Sequence, residues 1–218
     1  MNLLPINPNH TVHFEDHYKG LPIQIDKGPF IREYLDRLHQ TIARTFGDYK
    51  RVFAFRFDLR FPDHLNEQNF NFDNQVIDRF VESFKAKLRH NRQMAKRGNV
   101  YAHDTVVRYV WTREVGQLGK PHYHFAVLLN YDAFCSIGMF ESGRDNMFNR
   151  LQEAWASALG LPISDVIGLV HFPENFYYHL NREDNAGIAS FFYRASYLCK
   201  SATKVYGNGN HGFGASRK

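Results

Sequence analysis

The chain has 218 residues, 44% hydrophobic and 22% charged, with 27 Lys and Arg against 22 Asp and Glu. Ordinary hydrophobicity with 16% aromatic residues excludes a disordered chain, and the lack of any run of about 18 apolar residues excludes a membrane-spanning helix. Two cysteines, Cys135 and Cys199, are too few for a disulfide framework or a four-thiolate zinc site, and the N-terminus reads as no secretory signal, so a cytoplasmic protein is the default.

With no repeats and no low-complexity tract, the chain reads as one domain carrying an N-terminal extension. Residues 1–28, rich in Pro, Asn and His, read as an irregular arm. Pro29 then opens a helix, PFIREYLDRLHQTIARTF, whose apolar stripe includes Phe30, Tyr34, Leu35, Leu38 and Ile42, and Gly47 ends it. RVFAFRFDLRFP alternates Val52, Ala54, Arg56 and Asp58 against Phe53, Phe55, Phe57 and Leu59, the period of a strand with one aromatic face. Asn71 or Asp73 caps a long helix reaching Arg97, closed by Gly98. TVVRYVWTREV and HYHFAVLL follow as a hairpin across GQLGKP. A helix over about 144–159, a strand GLVHFP, and a last helix from Asn185 or Ala186 to about Thr203 complete the order, and the Gly/Asn-rich tail reads as loop. Strand, helix, strand, strand, helix, strand, helix predicts an α+β fold of the ferredoxin or RRM type. Such a fold has a mostly antiparallel sheet, helices on one side and one face left open to nucleic acid.

The net charge of +5 has a location. From Asn185 onward no acidic residue occurs, while Arg194, Lys200, Lys204, Arg217 and Lys218 supply five positive charges. A second basic run lies at Lys85, Lys87, Arg89, Arg92, Lys96 and Arg97. Basic stretches among aromatics suit a polyanion with flat faces, which is nucleic acid. For the run at 85–97 two readings stand: a grip on duplex DNA, or an ordinary solvated helix side.

His122-Tyr123-His124 opens a strand, so both imidazoles point to one face and are able to share a metal. A lone H-x-H is a weak signal in a chain with 12 histidines. Glu114, across the hairpin, is placed to complete a two-His, one-carboxylate set with open positions, suited to Mg²⁺ or Mn²⁺ holding a phosphate oxygen. In the last helix Tyr193, Tyr197, Lys200 and Lys204 step along one stripe at four and three residues. A phenol that attacks a phosphodiester needs a neighbouring cation, which the lysines offer. Without the histidines, the same stripe reads as an amphipathic surface helix.

Together, PHYH on a strand and a later helical Tyr-x-x-Lys resemble the HUH endonucleases that initiate rolling-circle DNA replication. More closely, WTREVGQLGKPHYHFAVLLN, SYLCKSATK and YGNGNHGFGASR resemble the inovirus gene-2-protein family, also described as the YagK/YfjJ C-terminal domain of prophage proteins. The resemblance covers roughly residues 50–216. It implies an arm and helix over 1–48, an HUH endonuclease-like domain over 49–206 and a basic Gly-rich tail over 207–218. It also implies a phage or prophage enzyme that nicks and rejoins one DNA strand. His122, His124 and Glu114 would hold Mg²⁺ or Mn²⁺. Tyr197 would form the 5′-phosphotyrosine, with Tyr193 as an alternate nucleophile and Lys200 assisting the phosphate. Lys204, Arg194, Lys120, Arg56 and Arg217 are the expected DNA contacts. Expected partners are single-stranded or hairpin origin DNA and, since the chain has no Gly-rich Lys-Ser/Thr phosphate loop, a host helicase and polymerase in the bacterial cytoplasm. Two alternatives differ in class. One is a non-catalytic DNA- or RNA-binding regulator on the same sheet; the other is a metallohydrolase of a soluble phosphoester, which would need neither the tail nor Tyr197.

Overall fold

The computed structural model describes residues 10–116, 119–201 and 210–217. Along the chain run β1 (Val12–His13), β2 (His17–Tyr18), β3 (Leu21–Pro22), β4 (Phe30–Ile31), α1 (Arg32–Asp48), β5 (Arg51–Leu59) and α2 (Gln75–Gly98). Then come β6 (Arg108–Val115), β7 (Pro121–Asn130), α3 (Met147–Leu159), β8 (Val170–His171), β9 (Tyr177–Asn181), α4 (Asn185–Ser196) and β10 (Phe213–Ala215). The α+β expectation holds: among the described residues, four helices surround a six-stranded antiparallel sheet of order β10-β6-β7-β5-β8, with β9 also pairing β5. Among the described residues, no helix is long and apolar enough to cross a membrane.

The strand alternation read from the sequence sorts the two faces. Phe53, Phe55, Phe57 and Leu59 bury on one side with Phe125, Val127 and Leu129, under α2 and α3, where Phe80, Phe84 and Trp155 close the core. Phe57 stacks on Phe125 at 5.1 Å, and the Trp155 indole donates to the Arg60 carbonyl at 2.7 Å, so its polar atom is satisfied inside the core.

The expectation of one bare sheet face is corrected. Val52, Ala54, Val110, Ala126 and Leu128 form a second buried cluster with Leu35, Leu38, Ile42, Phe191 and Phe192, so α1 and α4 cover that side too. The physical reason is in the alternation itself. These alternate positions are apolar, and water on them would cost what burial under two amphipathic helices recovers. The cover serves the apolar half; the other half of the same face carries Arg56, Asp58, Thr112, Glu114, His122 and His124.

Four further boundaries differ. The arm over 1–28 is not irregular throughout: β1 pairs β4, β2 pairs β3, and Tyr18 and Ile23 bury against the second cluster. Phe30 and Ile31 are therefore extended, and α1 starts at Arg32 rather than Pro29. GLVHFP contributes only Val170–His171, while the unforeseen β9 pairs β5 from Arg51 to Phe55. The tail is not all loop, because β10 adds to the outer edge of β6 and Phe213 stacks on Tyr34 at 4.3 Å. Gly214 is required there: a Cβ would stand 2.5 Å from the Trp111 ring.

Candidate metal and tyrosine site

Register brings the hairpin residues together. Glu114 lies opposite His122, and Thr112 opposite His124, with Asp58 of β5 the next neighbour of His124 and His171 of β8 beyond it. Antiparallel partners share a face, so Glu114, His122, His124 and Asp58 converge, while Tyr123 points the other way into the aromatic core. Glu114 Oε2 is 3.8 Å from His122 Nε2 and 3.4 Å from His124 Nε2. The three donor atoms lie within 4.8 Å of one another, close to the span one divalent ion bridges when bound to each at about 2.0–2.3 Å.

Asp58, which the sequence reading did not single out, completes the arrangement. Its Oδ1 takes the Nδ1 proton of His124 at 2.5 Å, which directs the ring's other nitrogen, Nε2, toward Glu114. That Nε2 is buried and faces Glu114 Oε2 at 3.4 Å. Burial alone would lower the pKa of His124, but the hydrogen bonds and charges of Asp58 and Glu114 raise it above the ordinary value. His122 goes the other way, lowered first by burial and then by His124. Burial would raise Asp58, yet the His124 hydrogen bond, with the charges of His124 and Arg56, holds it below the ordinary carboxylate value. The two imidazoles and the Glu114 carboxylate form a group able to hold one metal ion.

The tyrosine segment meets this set, by a route the sequence pattern did not predict. The helix does not run to about Thr203; α4 ends at Ser196, Tyr197–Cys199 form a single 3₁₀ turn, and Lys200 is extended. The cause is at the carbonyls of the last helical turn. The Gln24 amide donates to Tyr193 O at 3.0 Å and Arg194 O at 3.2 Å, and Arg56 Nη1 donates to Arg194 O at 3.0 Å. Backbone groups that would have continued the helix are thereby capped from elsewhere in the chain. Lys200 then bridges to Phe30 of β4, and Ser201 N donates to Pro29 O at 2.8 Å. So Lys200 is not on a helix stripe; it turns inward. Its Nζ lies 2.5 Å from the Tyr197 hydroxyl and 3.1 Å from Glu114 Oε1. The Tyr197 ring sits 5.5 Å from that of His124. Gln24→Ala is expected to remove two side-chain hydrogen bonds to the helix end and lower stability by about 1–2 kcal/mol, read by urea denaturation.

The remaining candidates scatter. Tyr193 is 40% exposed, and its side chain makes no hydrogen bond or ring contact among the described residues. Arg56 is buried, 5.7 Å from the Tyr197 ring, with its pKa lowered by burial. It therefore stands inside the site rather than on the surface. Arg194 donates to Glu174 O at 2.8 Å, and Lys120 is tied to the carbonyls of Pro62 and Asp63 at 3.1 and 2.7 Å. Arg217 lies at the far end of β10 beside Tyr109. Lys204 falls outside the described residues. Asp58 and Arg56 were detectable in principle, as the two charged positions on the otherwise apolar Val52/Ala54 side of a strand with an aromatic opposite face.

Comparison with known proteins places this arrangement in a family. Uncharacterized protein YfjJ of Escherichia coli (strain K12) is 33% identical over 200 residues, covering 87% of this chain and 96% of the relative. Uncharacterized protein YagK of the same organism is 33% identical over 198 residues, covering 87% and 95%. No solved structure matches this chain. The family model of the YagK/YfjJ C-terminal domain matches residues 14–216, and the chain belongs to that family.

Proposed function

We propose that the protein is a metal-dependent DNA strand-nicking and strand-transfer enzyme of the HUH type, acting as a phage or prophage rolling-circle replication initiator. The observation that carries this reading is the continuous contact from Tyr197 through Lys200 to Glu114, the carboxylate that also faces both histidines. A metallohydrolase of soluble phosphoesters would have no need of a phenol held at this place by an ammonium group.

In the proposed reaction the Tyr197 oxygen attacks the scissile phosphorus. The Tyr197 hydroxyl gives up its proton to solvent, the bond from phosphorus to the 3′-oxygen breaks, that oxygen takes up a proton from solvent, and the 5′-phosphate stays esterified to tyrosine. Lys200 donates to the phenolic oxygen and offers its charge to the phosphate as negative charge builds. A bound Mg²⁺ or Mn²⁺ would supply Lewis-acid polarisation of a phosphate oxygen. Glu114, His122 and His124 would hold it, with Asp58 fixing the ring of His124. Reversal with a second 3′-hydroxyl rejoins the strand. The HUH and ferredoxin-like identity of the sheet belongs to this proposal, supported by the H-x-H strand in the sheet beside β5.

The test is incubation with single-stranded or hairpin origin-like oligonucleotides and Mn²⁺, followed by a denaturing gel. A covalent 5′-linked adduct that disappears with chelator is expected. A shifted but never cleaved oligonucleotide would instead favour the non-catalytic regulator, and adduct formation indifferent to chelator would refute the metal site.

A further inference from the structure

Away from the tyrosine and metal site, a groove of about 1200 Å³ runs along the outer edge of β6, floored by β10 and walled by α1 and α2. Its cations come from three separate parts of the chain: Arg37 of α1, Lys85, Arg89 and Arg92 of α2, and Arg217 of the tail. One basic helix side would be ordinary solvation. Convergence of side chains from positions 37, 85–92 and 217 on a single groove is a property of the fold. The basic run of α2 is divided by this groove: Lys87 pairs with Glu153 and Lys96 with Asp104, whereas Arg89, Arg92 and Lys85, the last paired with Glu82, line the groove.

The charges are also poorly neutralised. Among the described residues, the side chains of Arg37, Arg89 and Arg217 make no hydrogen bond or ion pair. Of the three acids lining the groove, Glu33 is engaged by the backbone of Thr11 and Asp104 by Lys96, leaving Asp78 facing the guanidinium groups. Flat surfaces accompany the charge, since Tyr109 lies under Lys85 at 5.7 Å and Tyr49 lines the same wall. Unpaired guanidinium groups in one groove with tyrosines suit a phosphodiester backbone with adjacent bases or sugars.

We infer that this groove is a second nucleic-acid site, which grips the phosphate backbone of the strand or hairpin while Tyr197 and the histidine pair address the scissile phosphate. It shares with the proposed function only the nucleic-acid partner and does not depend on nicking. Because β10 pairs with the strand that carries Glu114, the groove and the metal site lie on one strand.

The test measures binding without cleavage. Full-length protein carrying Tyr197→Phe, in chelator, is titrated onto a labelled single strand and a labelled hairpin of mixed sequence by fluorescence anisotropy across a salt series. Arg37→Gln/Arg89→Gln/Arg217→Gln removes exposed side chains, so the fold is undisturbed. It is expected to weaken binding at least about tenfold and to flatten the plot of log affinity against log salt by about 2 units of slope. Lys27→Gln/Arg97→Gln/Arg144→Gln, which removes the same charge outside the groove, is expected to stay within about twofold. Equal losses in both triple variants would mean a general surface field and overturn the groove. So would no loss in the groove variant, or displacement of the oligonucleotide by polyglutamate of equal charge as readily as by unlabelled DNA. If the groove behaves as expected and the protein with Tyr197 intact never forms an adduct, nicking fails and the groove stands.

Discussion

Tyr197→Phe is expected to abolish the covalent DNA adduct, a loss of at least about 10³-fold on a denaturing gel. Tyr193→Phe is expected to leave the adduct in place. The two tyrosines are one helical turn apart, and what separates them is their surroundings. Tyr197 is half-buried with its hydroxyl 2.5 Å from an ammonium group and its ring beside His124 and Arg56. Tyr193 is exposed with no such neighbour. Phe keeps the ring in the same contacts and gives up one hydrogen bond, so stability should fall by no more than about 1.5 kcal/mol. Loss of the adduct would then be chemical rather than structural. An adduct that survives Tyr197→Phe, or one mapped to Tyr193 by peptide analysis, overturns the assignment.

The second large effect concerns a residue that touches no phosphate. Asp58→Ala should weaken Mn²⁺ binding about 10–100-fold in calorimetry, although Asp58 is not one of the three donor residues. In the native protein its carboxylate accepts the Nδ1 proton of His124 at 2.5 Å, so the ring presents Nε2 toward Glu114. Without it the ring is free to turn or to change tautomer, and a buried Nδ1–H loses its acceptor. Asp58→Asn, which keeps an accepting oxygen but not the charge, should fall between the wild type and Asp58→Ala. Binding unchanged in both variants would remove Asp58 from the site and leave its bond to His124 as packing alone.

The hairpin half of the site was legible because strand periodicity is local. Alternation fixed the face of His122 and His124, and a Gly- and Pro-containing turn was enough to bring Glu114 opposite His122. The tyrosine half was only partly legible. The residues are right, but the geometry that joins Lys200 to Glu114 comes from Gln24 and Arg56 capping carbonyls at positions 193 and 194, and no local pattern encodes contacts across such sequence distances. β10 was hidden for a different reason. Its three residues, Phe213–Ala215, have poor strand propensity around Gly214, and they are extended because the edge of β6 pairs with them and Trp111 leaves room only for glycine. The covering of the second sheet face was readable from Val52, Ala54, Val110, Ala126 and Leu128, whose apolar character a bare face would not tolerate. Aromatic residues on the opposite face drew the reading away from them.

The backbone contacts of Lys200 and Ser201 with Phe30 and Pro29, and those of Gln24 with the end of α4, bear on how the protein is divided for experiment. A shortened chain beginning near residue 49 would retain Glu114, His122, His124, Tyr197 and Lys200. It would lack the template against which that lysine is set, and Arg56 alone would remain to cap the helix end before Tyr197. Inactivity of such a fragment would therefore report a missing assembly jig rather than missing chemistry, and supplying residues 10–48 as a separate peptide is the way to tell the two apart.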